Sequence, residues 1–457
     1  MTLWQFLRER MLKHPLQTIG EADTKLTYED TVIFAETFAK KIKGESCCAI
    51  YCHSEMAACL SLLACFAAKT TALPLSHRYG AKHCQKILDT VSPTCLITDI
   101  QGELSALHIT DNYYVAPSVT PALILCTSGT TGTPKGAMLT ERGIMTNVQD
   151  IAEYLTLKPE DNILISRPLY HSGVLTGELL VSLVKGVKIL FSAQKFDPLS
   201  LIATMRKKGI TAFGTTPTLL RLLLRFLPPS PPLPLRHLMI SGECMDTALG
   251  KQARKKVPRT AIYHGYGLTE AGPRVSVLPP TLFDQTPTSV GFPLKSVSVQ
   301  IRDKSGNLQK RGKTGLLWVR GKNVMAGYYN APKLTRRVLK RGWLCTGDIA
   351  VLDRKKMLFI KGRADDMIIR AGVNIYPAEV ESVLKEDPHV RDALIYSVDT
   401  PTGKQLGLKI VGDFSDTNEV RELCVARLPA FQVPSNIEIV AEIPRNGAGK
   451  MSRRTFP

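Results

Sequence analysis

Cys126-Thr127-Ser128-Gly129-Thr130-Thr131-Gly132-Thr133-Pro134-Lys135-Gly136 follows directly on the apolar run 122–125. Glycines let successive amide N–H groups converge on an anion, hydroxyls add donors, and the lysine adds charge. The composition reads as a phosphate-gripping loop. A P-loop requires Gly-Lys-Ser/Thr after four free positions, and here glycine follows Lys135, which disfavours a P-loop kinase or GTPase. The plain alternative is a Gly/Thr-rich turn between two strands.

Around this loop, residues 49–74 give an apolar strand, a small-residue helix and a second apolar strand, the order of a βαβ unit in a parallel sheet. Short apolar segments recur at 162–165, 187–191, 212–214, 238–240 and 261–263, most separated by helical or Gly/Pro-containing stretches. This predicts an α/β architecture with ligands at the carboxyl ends of the strands. The proline-rich segment 227–234 reads as a surface loop. After about residue 280 the texture changes to strands alternating with turns, at 297–302, 303–307 and 315–320, which predicts a β-rich subdomain. Beyond Gly362-Arg363-Ala364-Asp365-Asp366 lies a smaller mixed unit, with a helix over 378–385 and strands near 393–397 and 408–412. The simplest division is 1–364 and 365–457.

A chain of 457 residues exceeds one compact core, and at 44% hydrophobic and 22% charged it has the composition of a globular protein. The formal charge of +19 suits nucleotides, coenzyme A, an acidic carrier protein or nucleic acid, and charge alone does not choose among them. No nucleic-acid recognition motif accompanies it. Eleven cysteines, an odd number at irregular spacing, read as reduced cytosolic thiols rather than as a disulfide framework. Cys52, His53 and Cys59 lack the second half-site that zinc would need. The apolar run 57–68 is shorter than the roughly twenty residues of a membrane span, and residues 1–13 are amphipathic rather than signal-like. The expectation is a cytoplasmic protein with no transmembrane segment.

Five further segments stand in the order of one superfamily. Together with the loop, they make the chain resemble, over nearly its whole length, the acyl-CoA synthetase and luciferase-like branch of the adenylate-forming (AMP-binding) enzymes. The resemblance implies a large N-terminal domain of stacked α/β subdomains plus a β-rich subdomain, followed by a small mobile α+β C-terminal domain. It also implies the activity: a carboxylic acid and ATP give an acyl-adenylate and pyrophosphate, and the acyl group then passes to a thiol. Thr127, Ser128, Gly129, Thr130, Thr131, Gly132 and Lys135 would hold the β and γ phosphates. In Tyr266-Gly267-Leu268-Thr269-Glu270, Thr269 would lie near the α-phosphate and Glu270 would hold Mg²⁺, which suits a carboxylate with phosphate oxygens and waters. Ser241-Gly242-Glu243 and Tyr263-His264-Gly265 correspond to the segments that sandwich adenine.

Asp348, in Trp343-Leu344-Cys345-Thr346-Gly347-Asp348, would accept hydrogen bonds from the ribose hydroxyls, with Arg363 beside it. Asp365 would be the hinge that reorients the smaller domain between half-reactions, and the region of Gly372 would face the thiol acceptor. Lys450, in Pro444-Arg445-Asn446-Gly447-Ala448-Gly449-Lys450, is the implied catalyst of adenylation, a cation delivered to the accumulating negative charge. Tyr170 and His171 would border the acyl pocket, unless His171 is a core histidine with satisfied hydrogen bonds. Arg274, four residues after Glu270, either meets a polar or anionic tail of the substrate or is an ordinary solvent-facing or paired arginine.

The chain departs from the family pattern where Ile369 occupies a usual lysine position, with Arg370 beside it expected to face the other way. Leu268, where amino-acid-activating domains carry proline, and Phe196-Asp197-Pro198 point away from an amino acid substrate. A fatty or aromatic acid is expected, with coenzyme A as acceptor. The alternatives are the phosphopantetheine of an acidic carrier protein and, in another class, a non-catalytic nucleotide-binding scaffold.

Overall fold

In the computed structural model the strand Cys47–Tyr51, the helix Glu55–Ala68 and the strand Thr71–Pro74 form the expected parallel βαβ unit, with Cys47 in register with Thr71 and Ala49 with Leu73. The structure describes residues 1–76, 81–100, 103–109, 114–127, 134–192, 197–228, 232–370, 373–400 and 403–443.

The helix Glu55–Ala68 is apolar nearly all round, so it must be covered on every side; Cys59, Leu62, Leu63, Ala64 and Cys65 are all buried. Its start is fixed electrostatically. Ser54 caps Ala57 N, and the Glu21 carboxylate accepts from the Ser54 hydroxyl, from Glu55 N (3.3 Å) and from Met56 N (3.1 Å). Asp99 accepts from His53 N and Ser54 N at 2.8 and 2.9 Å. Two carboxylates thus meet the positive end of the helix dipole.

Among the described residues two large sheets carry the bulk of the chain. The first runs, edge to edge, through Gly327–Tyr328, Lys135–Leu139, Leu123–Thr127, Thr71–Pro74, Cys47–Tyr51, Cys95–Ile100 and Glu103–His108. The second has Ala261–Tyr266, His237–Ser241, Ala212–Thr215, Asn162–Ile165, Lys188–Phe191 and Thr18–Glu21 side by side and parallel, flanked by antiparallel strands at both edges. One face of this sheet, with Met239 and Tyr263, shares a core with Leu63, Leu123 and Leu179; the opposite face, with Leu238, Ile240 and Ile262, packs under the helices Pro198–Lys207, Pro217–Phe226 and Thr247–Lys256. The β-rich texture after residue 280 is an antiparallel sheet of Val297–Arg302, Thr314–Gly321, Trp343–Leu352, Leu339–Lys340 and Leu358–Arg363.

The last unit has its own core of Ile368, Ile375, Val380, Leu384, Ala393, Leu408 and Val420. Its helix Pro377–Leu384 and strands Val390–Thr400 and Gly403–Gly412 lie where the apolar pattern put them. Arg370 donates to the Phe431 and Val433 carbonyls at 3.1 and 3.0 Å. The guanidinium is engaged by the unit's own backbone.

All eleven cysteines are free, and Cys47, Cys48, Cys52, Cys59, Cys65, Cys84, Cys95 and Cys424 are buried. Burial pushes the thiols of Cys47 and Cys59 up, and that of Cys52 to about 12. The His53 ring pairs with Asp99, and among the described residues no group of three or more His, Cys, Asp or Glu could hold a metal. No helix among them is long and apolar enough to cross a membrane.

Glu21→Ala removes three acceptor contacts from one helix start. It should lower stability by about 1–2 kcal/mol, read as a shift of the urea midpoint; an unmoved midpoint would show that the cap does not hold this helix.

Candidate active site

The strand Leu123–Thr127 returns antiparallel as Lys135–Leu139, with Thr127 paired directly opposite Lys135. Cross-strand partners place side chains on one face, so the hydroxyl and the ammonium flank the mouth of the loop. The segment between these two paired strands thus stays a candidate phosphate grip. Ser128, Gly129, Thr130, Thr131 and Gly132 lie outside the described residues, as do Gly372 and Lys450.

The hairpin leads to the second segment through its edge partner. Ala137 pairs with Tyr328, and the Tyr328 hydroxyl donates to Glu270 Oε1 at 2.8 Å. Burial, then the facing Glu270 carboxylate, raises the Tyr328 phenol, so it stays protonated and donating. Glu270 Oε2 has no hydrogen-bond partner among the described residues. Glu270 is further pinned by Met325 N, which donates to its carbonyl at 2.9 Å. The neighbouring Thr269 hydroxyl lies 3.3 Å from that of Ser172, directly after Tyr170-His171. Tyr170 is buried, its ring 4.1 Å from the half-exposed His171 ring, and it lines a small cavity with Cys52, Glu55, Leu75, Ser76 and Leu175.

Asp348 is the meeting point of three strands. It accepts from the Tyr266 hydroxyl through Oδ2 and from Arg363 Nη1 through Oδ1 at 3.1 Å. Arg363 Nη1 also donates to the Thr346 carbonyl at 2.9 Å, and the Thr346 hydroxyl accepts from Asp348 N at 3.0 Å. Burial pulls the Arg363 guanidinium down, but Asp348 and Tyr266 outweigh it and hold it above its ordinary value. Gly347, at φ +75°, lies against this guanidinium; a Cβ there would come within 2.8 Å of Nη2. Asp365 follows in the short 3₁₀ turn Ala364–Asp366, after the strand that ends at Arg363.

The segments expected to sandwich adenine lie at the carboxyl ends of adjacent strands, Ser241 in register with Gly265. Their side chains act differently from the expectation. Glu243 accepts from Thr218 N and Oγ1 at 3.0 and 2.7 Å, so it caps the helix Pro217–Phe226. His264 is fully buried, its Nδ1 donating to the Pro287 and Ser289 carbonyls at 3.0 and 2.9 Å while Nε2 lacks a partner. Gly242, at φ +100°, and Gly267, packed against Pro273, offer backbone only.

Arg274 is 6% exposed, which excludes the solvent-facing reading. Its backbone exchanges hydrogen bonds with the buried Asn147 amide, 3.1 Å from N to Oδ1 and 2.8 Å from Nδ2 to O. The guanidinium lies over Gly265, with Tyr154 and Glu178 nearby.

Sequence reading missed Tyr328, Ser172, Thr346, Asn147 and Glu178. Ser172 adjoins a quoted motif and Thr346 lies inside one. Glu178 is the lone acid in the run Ser172-Gly-Val-Leu-Thr-Gly-Glu-Leu-Leu-Val, a visible sign of a charge that must be buried.

Two domain models match, "AMP-binding enzyme" over residues 111–329 and "AMP-binding enzyme C-terminal domain" over 379–450. A long-chain-fatty-acid–CoA ligase of Escherichia coli O6:H1 is 32% identical over 384 residues, covering 81% of this chain and 68% of the relative. A 2-succinylbenzoate–CoA ligase of Bacillus pumilus is 32% identical over 334 residues, 73% of this chain and 68% of the relative. The solved structure of the O-succinylbenzoate coenzyme A synthetase of Bacillus subtilis with ATP and magnesium superposes with a TM-score of 0.86 at 25% identity, covering 100% of this chain and 99% of the other. The chain belongs to the AMP-binding enzyme family. Within it, the chain is an AMP-forming acid–thiol ligase, with ATP, magnesium and coenzyme A as its cofactors and co-substrates.

Burial, against the pull of three backbone carbonyls, lowers the His264 pKa from 6.5 to about 4. The unfolded chain takes up a proton near pH 6.5 and the native one only near 4, so protons favour unfolding across that window. Stability should therefore fall as pH drops through it, by up to roughly 3 kcal/mol from this group. In urea unfolding between pH 7 and 4, His264→Gln should flatten the fall; an unchanged slope would put the acid sensitivity elsewhere.

Proposed function

We propose that this ligase activates a carboxylic acid, fatty or aromatic, at the Thr127–Lys135 hairpin, Thr269–Glu270 and Asp348, and transfers it to coenzyme A. The carboxylate oxygen bonds to the α-phosphorus, the bond to the β-phosphate breaks and pyrophosphate leaves. The thiol sulfur then bonds to the acyl carbon and AMP departs. The observation that carries the assignment is the connected path from Lys135 through the strand pair to Tyr328 and Glu270, then across Thr269 to Ser172 and Tyr170-His171. This path supports reading the expected phosphate, metal and acid segments as one site.

In this reading Lys135 and the loop 128–133 grip the leaving pyrophosphate, and Thr269 donates toward the α-phosphate. The free Glu270 Oε2 suits Mg²⁺, which when bound would neutralise phosphate charge. Asp348 accepts from the ribose hydroxyls, Arg363 holding it charged and oriented. Adenine lies on the backbone of Gly242, Glu243, Gly265, Tyr266 and Gly267, since the His264 and Glu243 side chains are engaged elsewhere. His171 positions the carboxylate or gates the pocket that Tyr170 and Arg274 help to wall. Residues 365–457 form the mobile domain, turning at Asp365 to deliver Lys450 for adenylation and the Gly372 region for thiol transfer. The separate core of this unit supports that division. The relatives' names support coenzyme A over a carrier protein as acceptor, and the free cysteines support a cytoplasmic location.

Acid-dependent pyrophosphate release, followed by thioester detection with coenzyme A, tests the whole scheme; no release with any fatty or aromatic acid would sink it. Asp348→Ala should raise the KM for ATP by roughly tenfold or more, the worth of a charge-assisted hydrogen bond, and an unaltered KM would remove it from the ribose site. Lys450→Ala should suppress adenylation at least 100-fold, an effect on the order of those seen for electrostatic stabilisers. Asp365→Pro should spare adenylation and suppress thioester formation; equal loss of both half-reactions would contradict the hinge.

A further inference from the structure

Behind Thr269 lies a cluster of charge that the adenylation scheme does not use. Arg167 and Glu178 form a buried ion pair, their side chains 14% and 4% exposed. Arg274, 6% exposed, faces the same carboxylate, but none lies within 4.0 Å of its guanidinium among the described residues. Two guanidiniums thus share one acid in the interior. Burial raises the Glu178 pKa although both arginines oppose it. The other neighbours are neutral: Tyr154, whose phenol burial pushes up, and His264. Arg274 Nε, Arg167 Nε and Glu178 Oε2 all lack hydrogen-bond partners. An uncompensated charge in such surroundings is strongly unfavourable.

The backbone is shaped around this cluster. Glu178 sits on the π-helical turn Leu175–Leu180, a rare widening that recurs at functional sites. A Cβ on Gly214 would strike the Glu178 carboxyl and one on Gly265 the Arg274 guanidinium, while Gly177 leaves 3.4 Å to Arg274 Nη2. Small residues on two strands and the turn therefore keep the space that the guanidinium enters. Asn147 fixes the Arg274 backbone from the other side. The cluster lies close to the reacting end: Ser172, five residues before Gly177 on the same helical segment, touches Thr269.

From this we propose that Arg274 is a specificity residue, and that the acid activated here carries a second anionic group, a distal carboxylate or phosphate-like terminus, which pairs with the Arg274 guanidinium. The proposal rests on the acid-activating reading above and narrows it. An unsubstituted fatty chain would leave the guanidinium with the Tyr154 phenol and a carboxylate already held by Arg167, whereas a distal anion completes the cluster by a charge-assisted, fork-shaped contact.

Pyrophosphate release with matched acids tests this: heptanoic, heptanedioic and 6-phosphonohexanoic acid, and 3-phenylpropanoic against 3-(4-carboxyphenyl)propanoic acid. The wild-type enzyme should prefer the doubly anionic member of each set by about tenfold or more in kcat/KM, and the carboxylate and phosphonate arms show which terminus fits. Arg274→Met should invert the ratio, lowering the diacids and raising the monoacids, while Arg274→Lys should retain part of the preference. Should Arg274→Met not fold, the wild-type ratio decides alone. Equal or better use of the monoacids by the wild-type enzyme, or a parallel fall of both in Arg274→Met, would overturn the proposal and leave the ligase reading standing. No pyrophosphate from any acid would overturn both.

Discussion

One buried carboxylate, Asp348, ties the parallel sheet to the antiparallel one. Its two oxygens accept from Tyr266, at the end of a parallel strand, and from Arg363, at the end of the strand that leads into the last unit. Its own strand belongs to the antiparallel sheet. A buried carboxylate with one donor missing is costly, so the three strands hold one another in place. The proposed nucleotide site is built on this arrangement: the strand ending at Tyr266 carries Thr269 and Glu270 just beyond it, and Arg363 is immediately followed by the turn at Asp365.

The same logic of shared partners runs through the rest of the site. Glu270 is oriented by a tyrosine from an edge strand, Thr269 by a serine beside Tyr170-His171, and Arg274 by an asparagine from a distant helix. Each named motif residue thus has a fixed direction set by a residue outside its motif. Such support is what a transition state with developing charge requires, because donors that must reorganise stabilise it less.

The parallel strands and the βαβ unit were legible because continuous apolar runs of strand length have few other uses, and the helix 377–384 because its apolar spacing is helical. The order of the motifs pointed to the parts of the candidate site. Side-chain direction was not legible to the same degree. His264 lies two residues before Tyr266 on one strand, yet its ring is taken up by the carbonyls of residues 287 and 289, whose approach no local pattern announces. Glu243 reads as a site residue by position but caps a helix from a neighbouring unit. The pairing of Glu178 with Arg167, and its nearness to Arg274, depend on contacts between segments far apart in the chain. Only the isolation of one acid in an apolar run hinted at it.

The buried cysteines have a consequence for the chemistry of the folded chain in an oxidising or alkylating medium. A thiol attacks as its thiolate, and burial holds Cys47, Cys52 and Cys59 almost wholly protonated at neutral pH while also screening them from reagents. The exposed Cys244 lacks that shelter. Modification of the interior thiols is thereby made a property of opening rather than of the native fold. The strands at 47–51 and the helix at 55–68 carry, in their own sulfur atoms, a chemical clock for how often the first βαβ unit comes apart.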